Sequence, residues 1–172
     1  MKSVKRILNI NQGDVLTFKA SDNKYRMILC TSTYKERSPF NFTFAALTYQ
    51  GIQIPNIEDV MESEFYGTGN TKNDYFKYSE SELDKMWKIH PETKPYFLGS
   101  YGLIIWRKDF LKMRDEFQLI CSLKILDNLD KNGNGAMNSS AMYVLDKLFV
   151  EQLETLEKLR GQRKMKIKAI LK

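Results

Sequence analysis

Between Gly13 and Leu47 one pattern occurs three times: a short run of strand-forming residues, closed off by turn residues. GDVLTF, Gly13 to Phe18, carries Val15, Leu16 and Phe18 in imperfect alternation with polar neighbours, ASDNK supplies a turn, and YRMILCT, Tyr25 to Thr31, is again rich in strand formers. These two runs predict a hairpin. After the polar loop TYKERSP, the run FNFTFAALTY sets Phe40, Phe42 and Phe44 on one side and Asn41 and Thr43 on the other. That period of two is the pattern of a half-buried strand, because successive side chains of a strand point to opposite faces. Three such runs with short connections specify an antiparallel sheet near the amino terminus.

Downstream the periodicity changes. GIQIP extends the third strand or turns out of it, and NIEDVMESEFY opens with Asn56 as a helix N-cap before acids in the first turn. SESELDKMWKIH starts a helix at Ser79 or Ser81, buries Leu83, Met86 and Trp87, and stops before Pro91. A strand is expected around Tyr101 to Arg107 and a short helix or turn in KDFLKMRDE. In EFQLICSLKIL the residues Phe117, Leu119, Cys121, Leu123 and Ile125 are all apolar, so alternation indicates a strand, with Ile120 out of step. From Asn138, Met142, Leu145, Leu148, Phe149, Leu153, Leu156 and Leu159 fall within an arc of roughly 140° at 100° per residue, the stripe of one long helix. The expected fold is α+β: a strongly bent antiparallel sheet or small SH3-like barrel, with short helices and a long C-terminal helix. The 172 residues suit a single domain, with a sheet-rich body over 1–127 and the helix with its basic tail over 138–172.

Charge is unevenly placed. The formal net charge is +6, yet seven basic residues and no acid lie between Lys158 and the end. Between Pro55 and Asp84 there are eight acids against Lys72 and Lys77. A basic tail either contacts nucleic-acid phosphates or an anionic membrane surface, or is a solvated end. No apolar run approaches the roughly 18 residues of a membrane span, the longest being LIIW at Leu103 to Trp106. The apolar stretch after Lys2, Lys5 and Arg6 is too short for a signal peptide, so a cytoplasmic location is expected. Cys30 and Cys121 each sit in an apolar stretch and read as small buried hydrophobes.

LDKNGNGAMNSS, Leu129 to Ser140, resembles the first half of an EF-hand calcium loop and one repeat of a dockerin, through Asp130, Asn132, Asn134 and Gly135. Position twelve, where a bidentate acid belongs, is Ala141. The expectation is a tight Asn-Gly turn feeding a helix capped at Asn138 or Ser139, with no metal. His90 is the one histidine and sits at a predicted helix end, where the helix dipole favours it. The phosphate-loop, dinucleotide and nucleophile-elbow patterns do not occur, so no cofactor and no catalytic set are expected, and the protein reads as a non-enzyme.

NINQGDVLTFKASDNKYRMILCTST followed by FTFAAL is similar to the opening of an SH3-like-barrel family of immunity proteins from bacterial polymorphic-toxin and contact-dependent inhibition systems. The match runs from Gly13 to about Leu47. PemK-type toxins, which are barrel ribonucleases, begin with a similar Gly-Asp strand, but they usually start the second strand with Arg-Pro, and here Met27 follows Arg26. The resemblance implies a cytoplasmic immunity or inhibitor protein that binds a cognate toxin domain tightly, and the acids Glu58, Asp59, Glu62, Glu64 and Asp74 would face a basic partner. The alternative is a nucleic-acid-binding protein or PemK-like ribonuclease using Arg26, Arg37, Arg163 and Lys164. Oligomeric state is open.

Overall fold

The expected hairpin forms from β1 (Asp14–Lys19) and β2 (Tyr25–Ser32), with Val15 opposite Leu29 and Lys19 opposite Tyr25. Its turn closes where the Ala20 amide donates to the Lys24 carbonyl at 2.9 Å, and Asn23 takes φ +65°, a left-handed conformation that asparagine tolerates well. The protein is described here from a computed structural model, which covers residues 9–33, 41–68, 81, 84, 88, 89, 91, 99–100, 103–126, 137–154 and 163–172. The expected helix over Ser79–His90 lies largely outside the described residues, as do Phe40, the loop at Asp130–Gly135 and His90.

The third strand is β3 (Asn41–Ala46), β4 spans Glu64–Thr68 and β5 Gly99–Ser100. The next strands are β6 (Leu103–Trp106), β7 (Gln118–Ser122), β8 (Met137–Asn138) and β9 (Arg163–Lys166). Six of them make a sheet of order β7-β1-β2-β3-β6-β8, antiparallel except for the parallel pair β6 and β8; β5-β4-β9 make a smaller sheet. Among the described residues three short helices complete the α+β fold: α1 (Ile57–Glu62), α2 (Arg107–Met113) and α3 (Met142–Lys147).

The central strands β1, β2 and β3 are buried on both faces of the six-stranded sheet. Leu16, Phe18, Ile28, Cys30, Phe42, Phe44, Leu103 and Ile105 form a first core with Phe110 and Met113 of α2, Phe117, and Leu145, Leu148 and Phe149 of the last helical segment. Val15, Met27, Leu29, Ala45 and Leu47 form a second core with Val60 of α1, Phe65 of β4, Ile125, Leu126, Met165, Ile167, Ala169 and Ile170. Burial of both faces accounts for the near-continuous apolar run in β2 and for the imperfect alternation of β1, patterns that a strand with one wet face does not show.

Two residues of the Gly-Asp pair have definite structural tasks. Gly13 adopts φ +94°, and a Cβ there would collide with the carbonyl oxygen of Leu123, so only glycine fits. Asp14 is buried, accepts from the Asn11 amide at 2.8 Å and from the Ser122 hydroxyl at 2.6 Å, and ties the start of β1 to β7. Ile120, the residue out of step in the sequence, is the extra residue of a bulge: Val15 pairs with Cys121 and Leu16 with Leu119, leaving Ile120 without an opposite number. Freed from the alternation, its side chain packs against the second core.

Two expectations are corrected. The sheet does not close into a barrel: β7 and β8 stand at opposite ends of its strand order. There is no long C-terminal helix over 138–172 either. Asn138 belongs to β8, Ala141 is the cap residue with no side-chain bond, and α3 continues as a π-helical turn, Leu148–Gln152, a run of 11 residues, with residues 153 and 154 still helical and 155–162 outside the described residues. The chain then reappears as β9, antiparallel to β4, and as a 3-10 turn, Ile167–Ala169. The reason is visible in RKMKIKAI: Lys164, Lys166 and Lys168 are exposed while Met165, Ile167 and Ala169 are buried, a period of two. Seven like charges after a helical stripe suggested a helical extension, whereas the two apolar residues between the lysines fix a strand.

Candidate functional site

The residues between β3 and β4 build the most conspicuous surface. Leu47 bridges to Phe65, and the Thr48 amide donates to the Glu64 carbonyl at 2.9 Å, so the segment leaves the large sheet and returns alongside itself. The loop is held along its length. The Tyr25 amide donates to the Gly51 carbonyl at 2.6 Å, the Tyr49 hydroxyl donates to the Gln53 carbonyl at 2.9 Å, and Pro55 is buried. Burial, followed by the nearby Asp59 carboxylate, pushes the Tyr49 hydroxyl above its ordinary range, which keeps that donor protonated.

Asn56 then starts α1 as the sequence predicts. Its side chain accepts from the amides of Glu58 at 2.7 Å and Asp59 at 3.1 Å, and the Asp59 carboxylate accepts from the Asn56 amide at 2.8 Å. This reciprocal capping box supplies partners for helix-end amides that otherwise lack them. Val60, fully buried, pins the helix to the second core.

On this fixed support Ile52, Ile54 and Ile57 point outward, 79%, 49% and 48% exposed. Three outward isoleucines within six residues are a cluster rather than the scattered apolar exposure normal for a surface. Glu58 and Glu62 are exposed on α1, one helical turn apart.

The acids singled out in the sequence therefore separate by task. Glu58 and Glu62 are exposed on α1; Asp59 is half-buried and engaged in the capping box; Glu64 lies on β4 directly opposite Lys166 of β9. Asp74 lies outside the described residues. The acidic and basic segments thus lie on adjacent strands of the small sheet.

The four basic candidates do not form one surface. Arg26 is 2% exposed and bound to the Asp22 carboxylate at 2.6 Å, and its register opposite Phe18 places it with the first core. Arg163 and Lys164 are exposed on β9, over the second core. Arg37 lies outside the described residues.

The isoleucines carried a signal that was read differently. GIQIP was open to two readings, an extension of the third strand or a turn out of it, and nothing local distinguishes an outward apolar pair such as Ile52 and Ile54 from an inward one. Elsewhere the chemistry is quiet. Neither cysteine is in a disulfide, and burial, then the Asp14 charge, pushes the Cys121 thiol up, away from a reactive thiolate. Among the described residues no group of three or more histidine, cysteine, aspartate or glutamate side chains is placed to hold a metal ion, and no helix is long and apolar enough to cross a membrane. No protein-family model matches the chain, and no curated protein or solved structure is found to match it.

Proposed function

We propose that this protein is an immunity or inhibitor protein that neutralises a toxin domain by tight protein–protein binding. The observation that carries the reading is the run of exposed isoleucines Ile52, Ile54 and Ile57 on a hydrogen-bonded loop that leads into α1, where Glu58 and Glu62 are exposed. Apolar residues at the centre with charges around them are the anatomy of a specific interface, and a support that is already ordered loses little entropy on binding. The exposed acids of α1 favour a basic partner surface and accelerate encounter with it. The resemblance of Gly13 to Leu47 to immunity proteins points the same way, although Gly13 and Asp14 are accounted for here by folding alone.

The exposed row Arg163, Lys164, Lys166 and Lys168 favours a second reading, binding of nucleic acid. Affinity capture from native lysate, washed at low and high salt, separates the two. The inhibitor reading expects one stoichiometric basic protein that survives high salt and is lost when Ile52→Asp replaces the bait. Capture of nucleic acid alone, released by salt and unaffected by Ile52→Asp, rejects it.

A further inference from the structure

Helices α1 and α2 sit on opposite faces of the six-stranded sheet. Val60 anchors α1 in the second core, and Phe110 and Met113 anchor α2 in the first. Each helix also has an outward side, and the two outward sides carry opposite charge. On α1, Ile57, Glu58 and Glu62 are exposed, the two acids one turn apart, and the helix contains no basic residue. On α2, Lys108, Leu111 and Lys112 are exposed at spacings of three and four, which places them on one face.

Trp106 extends the α2 surface. It is 40% exposed, and the Lys108 Nζ stands 4.8 Å from the centre of its ring, so lysine and indole form one patch. The acid of α2, Asp109, is buried and lies 3.4 Å from the Lys112 Nζ. The Lys112 side chain is nevertheless 75% exposed, and a surface pair of that kind is worth little, so its charge still faces outward. Asp115 and Glu116 fall beyond the helix, in the 3-10 turn that follows it.

Two acids one turn apart with an isoleucine on one helix thus answer two lysines one turn apart with a leucine and a tryptophan on the other. On opposite faces of one sheet they cannot meet within a single copy. We infer that α1 of one copy docks on α2 of a second copy. Such a contact is heterologous, and each copy added leaves a free α1 surface at one end and a free α2 surface at the other, so association is head to tail and open-ended rather than a two-fold dimer. With about two turns of helix a side, the contact belongs to the small, transient class. It goes beyond the inhibitor reading and holds without it.

Sedimentation velocity and light scattering of the purified full chain, at concentrations up to about 1 mM, test it. The mean mass should rise with concentration and fall as salt goes from about 0.01 M to about 1 M, over which the Debye length shrinks from about 30 Å to about 3 Å. Glu58→Lys with Glu62→Lys makes both outward sides basic, and Lys108→Glu with Lys112→Glu makes both acidic. All four positions are exposed, so the reversals leave the core intact, which thermal melting checks. Each variant alone should be monomeric, and an equimolar mixture of the two should associate again, because each supplies the charge that the other lacks. Leu111→Ser, which leaves every charge in place, should weaken association about tenfold, the scale of one buried apolar side chain. A parent that stays monomeric throughout, association unchanged in either charge variant or in Leu111→Ser, or a mixture that stays monomeric overturns the inference. So does association that disappears on nuclease treatment, which would assign the lysines to nucleic acid. The lysine reversals leave Ile52 and Ile54 untouched and the assay holds no toxin, so failure here leaves the inhibitor reading standing.

Discussion

The two faces of the six-stranded sheet are covered by different kinds of chain. The first face is closed by helical segments, α2 and α3 with its π-helical turn, whose apolar residues recur at helical spacing and dock Phe110, Leu145 and Phe149 against Phe18, Phe42 and Phe44. The second face is closed by α1, the small sheet and the last ten residues, where apolar and charged residues alternate. Both covers bury comparable side chains, but the first comes from segments whose burial can be read from their own period. The second comes from a terminal segment whose charge disguises its role. A run of lysines at the end of a chain is thus no sign of a solvated tail when every second residue is apolar.

Removing residues 163–172 breaks the comparison most severely. Met165, Ile167 and Ile170 are each buried, and at about 1.5–3 kcal/mol apiece their loss approaches the whole 5–15 kcal/mol stability of an ordinary domain. The truncated chain should lose its cooperative thermal transition and bind hydrophobic dyes. A truncated protein that melts with the parent's Tm would mean that the segment is a dispensable tail.

Phe18→Ala probes the other face. Phe18 meets Phe117, which lies between α2 and β7, edge-on at 5.8 Å and Phe149 at 5.3 Å, so it joins the sheet to the last helical segment and to the approach of β7. A loss of about 3–5 kcal/mol is expected from large-to-small substitution in a core, measured by denaturant unfolding. A loss below about 1 kcal/mol would show that the helical cover does not depend on this contact.

Asp14→Ala sharpens the comparison at the strand both faces share. It removes the acceptor of the Asn11 amide and the Ser122 hydroxyl, joining residues 108 apart in sequence, and should destabilise by about 2 kcal/mol. Ser122→Ala should reproduce part of that loss and add little in the double variant, because the two share one bond. Full additivity of the two changes would refute the link.

Much of this architecture was legible where the determining residues are close in sequence. The turn at Ala20–Lys24 and the cap at Asn56 were read correctly because turn and capping residues act over two or three positions. Ile120 registered as an anomaly, but its cause, a bulge against β1, depends on a strand a hundred residues earlier. The fate of the tail was hidden for a related reason. Its partner β4 is remote, and the preceding helical stripe, Met142 to Phe149, gave a nearer pattern to continue. For the candidate site, the acids were visible but their division of labour was not, since Asp59 caps a helix, Glu64 lies on a strand opposite Lys166, and Glu58 and Glu62 stay exposed on α1. Outward and inward isoleucines look alike until the sheet is built.

The smallest expected effect lies at the hairpin turn, on the margin of the helical face. There Asp146 of α3 accepts from the Ser21 amide and hydroxyl, both at 2.7 Å, and the neighbouring Asp22 carboxylate holds the buried Arg26. Burial by itself would raise the Asp22 carboxyl, but the Lys24 amide and the Arg26 guanidinium outweigh it and hold the group below its ordinary value of 3.8. A carboxyl lowered by folding contributes stability that is fully present above its unfolded pKa and is lost as pH falls through its folded one. Asp22 should therefore contribute across neutral pH, and its contribution should fade below about pH 4. Asp22→Asn should be less stable than the parent at pH 7, with the gap narrowing as both are taken toward pH 3 in urea unfolding. A gap that stays constant over that interval would mean that the carboxylate charge contributes nothing, and that Arg26 is held by the shape of its pocket and the Tyr25 carbonyl, 3.4 Å from Nη1.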